Sequence, residues 1–149
     1  LTTAQIVEGV AETWAAGMVP TLNFIFGSIG ETVATLRKSV DFLLSFDGAE
    51  TLRTIRPVTP YPGCDLYYYA IRRGLLKGPE EFYEEKHVNS DLRSVNFTEL
   101  SDKEFDEALV DANKILIEEH FRRVKTRRKS ELVKLYHDRD GSFRGFRQT

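Results

Sequence analysis

Met18-Val19-Pro20-Thr21-Leu22-Asn23-Phe24-Ile25-Phe26-Gly27-Ser28-Ile29-Gly30-Glu31-Thr32 is the stretch on which the reading of the fold turns. From Met18 to Phe26 apolar side chains fall on both faces of an extended chain, broken only by Pro20, Thr21 and Asn23, and that is the pattern of a buried parallel strand. Pro20 lies near its start, where a missing ladder donor is tolerable. Gly27 and Gly30 then permit a turn, and from Thr32 to Phe46 the spacing of Val33, Leu36, Val40, Leu43 and Leu44 is helical. Thr51 to Val58 reads as a second extended segment, with Arg53 and Arg56 inside it. Strand, helix and strand joined by short loops make one βαβ unit, so the expectation is an α/β fold with two parallel strands and a right-handed crossover.

Upstream, Thr3 is placed to cap a helix whose apolar positions Ile6, Val10 and Trp14 recur beside Val7 and Ala11, with Trp14 in the core and Gly17 at the end. Downstream, Pro57, Pro60 and Pro62 stiffen the chain and Gly63 permits a turn before a short helix from Asp65 to Arg73 that stops at Gly74. Tyr67, Tyr68 and Tyr69 on that helix must point in different directions. A helical turn is expected after Pro79, where Glu80, Glu81, Glu84 and Glu85 read as a solvated face. Ser101-Asp102-Lys103-Glu104 is a capping box that opens the strongest helix, with Phe105, Leu109, Ala112 and Leu116 as its buried stripe and Tyr136 as its furthest reach. Asp138 to Thr149 reads as a frayed tail. The division is therefore an α/β part over 1–100 and a helical extension with a basic tail over 101–149.

Two strands cannot build a doubly wound sheet or close a barrel, and a bare pair leaves backbone groups open on both edges. The chain is thus expected to be part of a larger α/β domain, and as an isolated fragment to form a homo-oligomer by pairing or covering those edges.

Composition sets the outer bounds. The 149 residues are 41% apolar and 30% charged with net charge −2, which suits a globular domain rather than a collagen, a disulfide scaffold or a disordered chain. No apolar run approaches the roughly 18 residues of a membrane-spanning helix, and Leu1 to Trp14 has two glutamates and no basic residue, unlike a leader peptide. A cytoplasmic location without membrane partnership is the resulting expectation. A single thiol, Cys64, forms no internal disulfide and holds no cluster alone, and His87, His120 and His137 share no metal-ligand spacing. Charge is unevenly placed: residues 120–149 carry +7 and residues 1–119 carry −9. The run Arg122 to Lys129 could neutralise phosphates, with Tyr136, Phe143 and Phe146 as stacking groups, but without a recognition motif a solvated helix end that docks on the acidic body is the preferred reading over nucleic acid.

Chemistry is expected at one rim. In α/β folds ligands sit at the carboxyl ends of parallel strands, which is where the Gly27 to Thr32 loop and the Val58 to Tyr67 loop both leave. Backbone N–H groups at the glycine turn and the helix start are candidate ligand donors. Arg56 is a candidate for a carboxylate or phosphate, with ion pairing to an acid such as Glu50 the preferred alternative.

At these residues the sequence resembles a family. Ile25-Phe26-Gly27-Ser28-Ile29-Gly30-Glu31-Thr32, then Pro60-Tyr61-Pro62-Gly63-Cys64-Asp65-Leu66-Tyr67, then Gly74-Leu75-Leu76, is similar to the C-terminal half of the radical S-adenosylmethionine core, most of all to the branch that often carries an upstream cobalamin-binding domain. The resemblance covers Gln5 to Glu119. It implies a C-terminal fragment of a partial (β/α)6, TIM-like barrel in which a 4Fe–4S cluster splits S-adenosylmethionine into methionine and a 5′-deoxyadenosyl radical. Carried over by position, Gly27, Ser28, Ile29 and Gly30 become adenosine contacts, and Arg56, Thr59 and Tyr61 substrate-side residues, while Glu31 serves the helix N-terminus. Ser28 stands where the family has an apolar residue, Ile29 where it has proline, and Cys64 where it has threonine, so that Asp65 is expected to cap the short helix. The three-cysteine CxxxCxxC motif is not in this sequence. The expectation is a chain inactive by itself, completed by an upstream half of the same protein and acting there on a small-molecule substrate in a radical methylation, cyclisation or oxidoreduction. The alternative is a non-enzymatic interaction module whose basic C-terminal helix binds an acidic partner or nucleic acid.

Overall fold

A computed structural model describes residues 1–46 and 51–142. Glu50, Phe143 and Phe146, and with them the last part of the expected tail, lie outside the described residues. The elements are α1 (Thr3–Ala15), β1 (Phe24–Phe26), α2 (Val33–Leu44), β2 (Ile55–Pro57), α3 (Asp65–Arg72), a turn of helix α4 (Pro79–Glu81) that runs into one π-helical turn (Phe82–Lys86), and α5 (Asp102–Tyr136). β1 and β2 pair in parallel, with Phe24, Ile25 and Phe26 opposite Ile55, Arg56 and Pro57. The fold is therefore α/β with a two-stranded parallel sheet and a long C-terminal helix.

Local chemistry explains most boundaries. Thr32 with Thr35 and Ser101 with Glu104 form reciprocal capping boxes at α2 and α5. At α1 the cap is Thr2 rather than Thr3, because Gln5 stands at the third helical position after Thr2 and closes the box. Gly17 and Gly74, at φ +75° and +68°, end α1 and α3 as left-handed residues, and each is followed by a donor reaching back five residues, Met18 to Thr13 and Leu75 to Ala70. At α3 the cap is Cys64, whose Sγ accepts from the Tyr67 N–H at 3.4 Å; Asp65 is the first helical residue.

The strands are shorter and less covered than the apolar pattern suggests. Phe26 and Ile55 are buried with Leu36, Val40 and Leu43 of α2 and Phe105, Ala112 and Leu116 of α5, so both helices lie on one face of the sheet. Ile25 and Arg56 point to the opposite face and are exposed, Ile25 by 58%. Burial of both faces, the expectation for Met18 to Phe26, would need a second layer, and among the described residues there is none; Met18 and Val19 are exposed as well. Trp14 is only half-buried, edge-on to Phe46, and Val10 is the one buried residue of α1. A second cluster, Val58, Tyr67, Ala70, Leu76, Phe82, Val95 and Phe97, sits under α3.

The two edges of the sheet differ. Val58 donates to the Phe26 carbonyl at 2.7 Å, so by alternation Ile55 and Pro57 turn their backbone groups away from β1. Asn113 of α5 meets Ile55 there: its Oδ1 accepts from the Ile55 N–H at 2.8 Å and its Nδ2 donates to the Ile55 carbonyl at 2.9 Å. Pro57 has no donor to leave bare. The outer edge of β2 is thus covered at Ile55 by a side-chain amide, contrary to the expectation of two open edges, whereas no hydrogen bond covers Ile25 on the outer edge of β1 among the described residues.

Arg123 of α5 ties down the end of α2. Its guanidinium donates to the carbonyls of Phe46 at 2.6 Å and Leu44 at 2.7 Å and to Glu119 at 2.7 Å, while Arg53 donates to the Leu43 and Phe46 carbonyls from the other side. Cations are favourable at a helix C-terminus, where the last carbonyls lack intrahelical partners. Hydrogen bonds from Arg122 and then Arg123 hold the Glu119 carboxyl down at about 2. Among the described residues no helix is long and apolar enough to cross a membrane.

Two outcomes follow from this packing. Asn113→Ala strands both backbone groups of Ile55 and should cost about 2 kcal/mol in urea unfolding, with the secondary structure retained by circular dichroism. Glu119 has a folded pKa below its unfolded value, so its contribution is complete above the unfolded carboxylate pKa of about 4.3 and is lost as pH falls toward about 2. Glu119→Gln should therefore lower stability at neutral pH and flatten the acid limb of a stability–pH profile over that window.

Candidate functional site

Parallel pairing brings the two loops together at the carboxyl ends of β1 and β2. A Cβ placed on Gly27 would stand 3.6 Å from Val58 Cγ1, so the first residues of the two loops are neighbours. The same Cβ would meet Phe105 of α5 at 2.6 Å and 2.7 Å, and Gly27 sits at φ +106°. Glycine is therefore demanded here twice, by backbone conformation and by the aromatic ring that packs on it. Gly30 is at φ +81° with open space around it, so its requirement is conformational alone.

The loop's donors are held internally. Glu31 Oε2 accepts from the N–H groups of Gly27 at 2.8 Å and Ser28 at 2.7 Å, so its carboxylate folds back into the loop instead of serving the helix N-terminus. That terminus is closed by Thr32 and Thr35. The expectation of free backbone donors for a ligand is thus corrected at Gly27 and Ser28, because a short carboxylate three to four residues away reaches them at no cost in chain closure. Ile29 and Gly30 are exposed at the tip of the loop, and Ile29, like Ile25 on β1, is an exposed apolar side chain.

Arg56 lies beside Ile25 in the register and pairs with Asp91 at 3.0 Å, both side chains being about 60% exposed (62% and 60%). Ion pairing is thus the observed state of Arg56, with Asp91 as the acid. Thr59 is half-buried at the base of the second loop, its carbonyl accepting from the Tyr61 N–H. Tyr61 packs edge-on to Phe82 and His87, with its hydroxyl 3.4 Å from His87 Nε2. His87 stacks on Phe82, and its Nδ1 is buried without a hydrogen-bond partner. Nothing in the local sequence marked His87: it stands in a segment without periodicity, 26 residues from Tyr61.

Tyr67 is buried, Tyr69 half-buried and Tyr68 exposed, the three directions the helical spacing requires. Glu80, Glu84 and Glu85 are exposed, and Glu81 accepts from the Lys77 N–H at 2.6 Å. Among the described residues no group of three or more His, Cys, Asp or Glu is placed to hold a metal ion. A polar groove of about 420 Å³ between Tyr69, Arg72, Arg73 and Asn96 to Glu99 shares no residue with the two loops.

No protein-family model, curated protein or solved structure matches this chain. The site is therefore read from its own geometry.

Gly27 and Gly30 separate packing from conformation. Gly27→Ala should destabilise by about 3 kcal/mol, combining left-handed strain with overpacking against Phe105, and Gly30→Ala by about 1 kcal/mol, from strain alone; thermal or urea unfolding of the two variants reads the difference.

Proposed function

We propose that this chain is the C-terminal part of a radical S-adenosylmethionine enzyme, contributing two strands and their loops to the wall of a partial barrel that the upstream half of the same protein completes. The observation that carries the reading is the juxtaposition of the Gly27 and Val58 loops at one carboxyl edge of a parallel pair, with Val58 bonded to Phe26 at 2.7 Å. Two further features support it. Both helices cover one face and leave Ile25 and Arg56 bare on the other, as on a barrel wall whose inner face looks on a lumen. Asn113 covers the β2 edge at Ile55 while the β1 edge is bare at Ile25 among the described residues, which favours continuation of the sheet on the upstream side.

The role left to this chain is contact. Cys64 is the only thiol and serves as a helix cap, so the residues here do not fit a 4Fe–4S cluster and no chemical step is assigned to it. With the Gly27 and Ser28 donors held by Glu31, Ile29 and Gly30 beside Ile25 would meet the adenosine by apolar contact, and Gly27 and Ser28 would set the loop's shape. Arg56 would engage a substrate anion by exchanging Asp91, an exposed pair of small worth. Thr59 and Tyr61 would stand on the substrate side, with Tyr61 backed by His87. A cobalamin would come through an upstream domain. The alternative, an interaction module working through the basic end of α5, draws on fewer cations than the sequence offers, since Glu119 and Glu131 already engage Arg122, Arg123, Arg127 and Arg128.

Coexpression with the reading frame that precedes Leu1, followed by anaerobic reconstitution, tests the proposal. The expected result is a CxxxCxxC motif in that frame, a bound 4Fe–4S cluster and reductant-dependent release of 5′-deoxyadenosine from S-adenosylmethionine, lost in Gly27→Val. An upstream frame without the three cysteines, and no nucleoside released, overturns it.

A further inference from the structure

The long helix α5 has a second face that the core does not use. Its buried stripe is Phe105, Ala112 and Leu116. On a neighbouring face Val110, Ile117 and Phe121 are exposed, by 51%, 36% and 61%, and Val124 and Leu135 are half-buried. These residues follow a seven-residue rule. Val110, Ile117 and Val124 recur at intervals of seven, as do Lys114, Phe121, Arg128 and Leu135, and the two series alternate by four and three along the helix. That is the seam of a coiled coil, running for about 38 Å at 1.5 Å per residue.

The charge along the same helix is divided in two. Residues 102–119 contain seven acidic and two basic residues, net −5, and residues 120–136 contain seven basic and one acidic, net +6. A parallel partner of the same sequence would set like halves side by side. An antiparallel copy sets each basic half on the other's acidic half.

We propose that the chain forms a two-fold dimer through this face, with α5 packed antiparallel against α5 of a second copy. In the register that centres the seam, Phe121 meets the partner's Val124, Val110 meets the partner's Leu135, and Ile117 meets the aliphatic stem of the partner's Arg128. The one pair of polar seam positions also matches in sign, Lys114 against the partner's Glu131, each adding this contact to the pairs it makes within its own helix. On the solvent side of the seam Glu118 faces the partner's Lys125; both are exposed, and neither has an ion-pair partner within its own chain among the described residues. The contact is self-complementary, as a two-fold interface must be, and its polar seam residues fix direction and register. It is independent of the two rim loops and uses a helix face, not the open edge of β1.

Sedimentation of the full 149-residue chain reads the outcome. The wild-type chain should show a monomer–dimer equilibrium that weakens with added salt. Phe121→Glu should leave it monomeric with unchanged helical circular dichroism. Glu118→Lys alone and Lys125→Glu alone should each raise the dimer dissociation constant about tenfold, because symmetry repeats every change, and the double variant should restore it, because both signs are exchanged across the same contact. A chain that stays monomeric at its highest soluble concentration overturns the proposal. So does a dimer indifferent to these charge reversals, which would point to pairing at the β1 edge, or a monomer that takes up a separate acidic helix on this face.

Discussion

The carboxamide of Asn113 occupies the place of a missing strand. Ile55 sits on the outer edge of β2 with an N–H and a C=O turned away from β1, and one side chain from α5 takes both. A buried or half-buried backbone pair left bare would cost more than the sheet's few ladder bonds return. The same contact sets the height and rotation of α5 on the sheet. With Asn113 locked to Ile55, Phe105 is carried onto Gly27 and the Phe26 ring, Leu116 onto α2, and Arg123 to the last carbonyls of α2. One helix thus finishes an edge, a face and a helix end.

Arg123 shows why the basic stretch of the chain is not one feature. Its guanidinium takes two carbonyls at the end of α2, those of Leu44 and of Phe46 just beyond it, and Glu119 orients it from one turn back. Further along α5, Glu131 pairs with Arg127 and Arg128, while Lys125, Lys129 and Lys134 are exposed. The basic stretch of the sequence therefore contains an anchoring residue, Arg123, and cations that are paired along the helix or exposed. Arg93 plays a matching part at the other end: hydrogen-bonded to Asp106 and paired with Asp102, its guanidinium pKa is raised and it spans the first turn of α5.

What was legible in the sequence was local. Thr32, Ser101, Gly17 and Gly74 mark boundaries through hydrogen bonds that span three to five residues, and the structure has a boundary at each. The parallel pair was legible too, because a strand–helix–strand order leaves little choice of topology. The contacts that complete the fold span 58 residues from Asn113 to Ile55 and 77 from Arg123 to Phe46, and nothing in a polar residue on a helix announces the strand or the carbonyl it will meet. The open face was hidden for the opposite reason. Ile25, Met18 and Val19 have the apolarity of buried residues, and apolarity alone reports what a surface could bury against and not whether this chain supplies it. Of the site, the rim position of Gly27 and Val58 was readable; the Tyr61–His87 contact and the backward reach of Glu31 were not, since the first depends on how an aperiodic segment folds and the second on a side-chain rotamer.

Glu31 sets the terms for any ligand at the rim. A carboxylate accepting two backbone N–H groups at 2.7 Å and 2.8 Å makes charge-assisted bonds, stronger than those a neutral heterocycle nitrogen or a hydroxyl would offer the same donors. A ligand that displaced it would also have to leave an acid without those partners near the loop. A ligand that left Glu31 in place would have to meet exposed apolar side chains such as Ile29 with apolar or π surface and direct its polar groups elsewhere along the rim. The glycine turn is thereby a shape held rigid by its own acid and by Phe105, rather than an anion cradle awaiting a phosphate. That distinction follows from which atoms already hold the loop's donors, and it separates this turn from glycine loops whose free N–H groups bind phosphate.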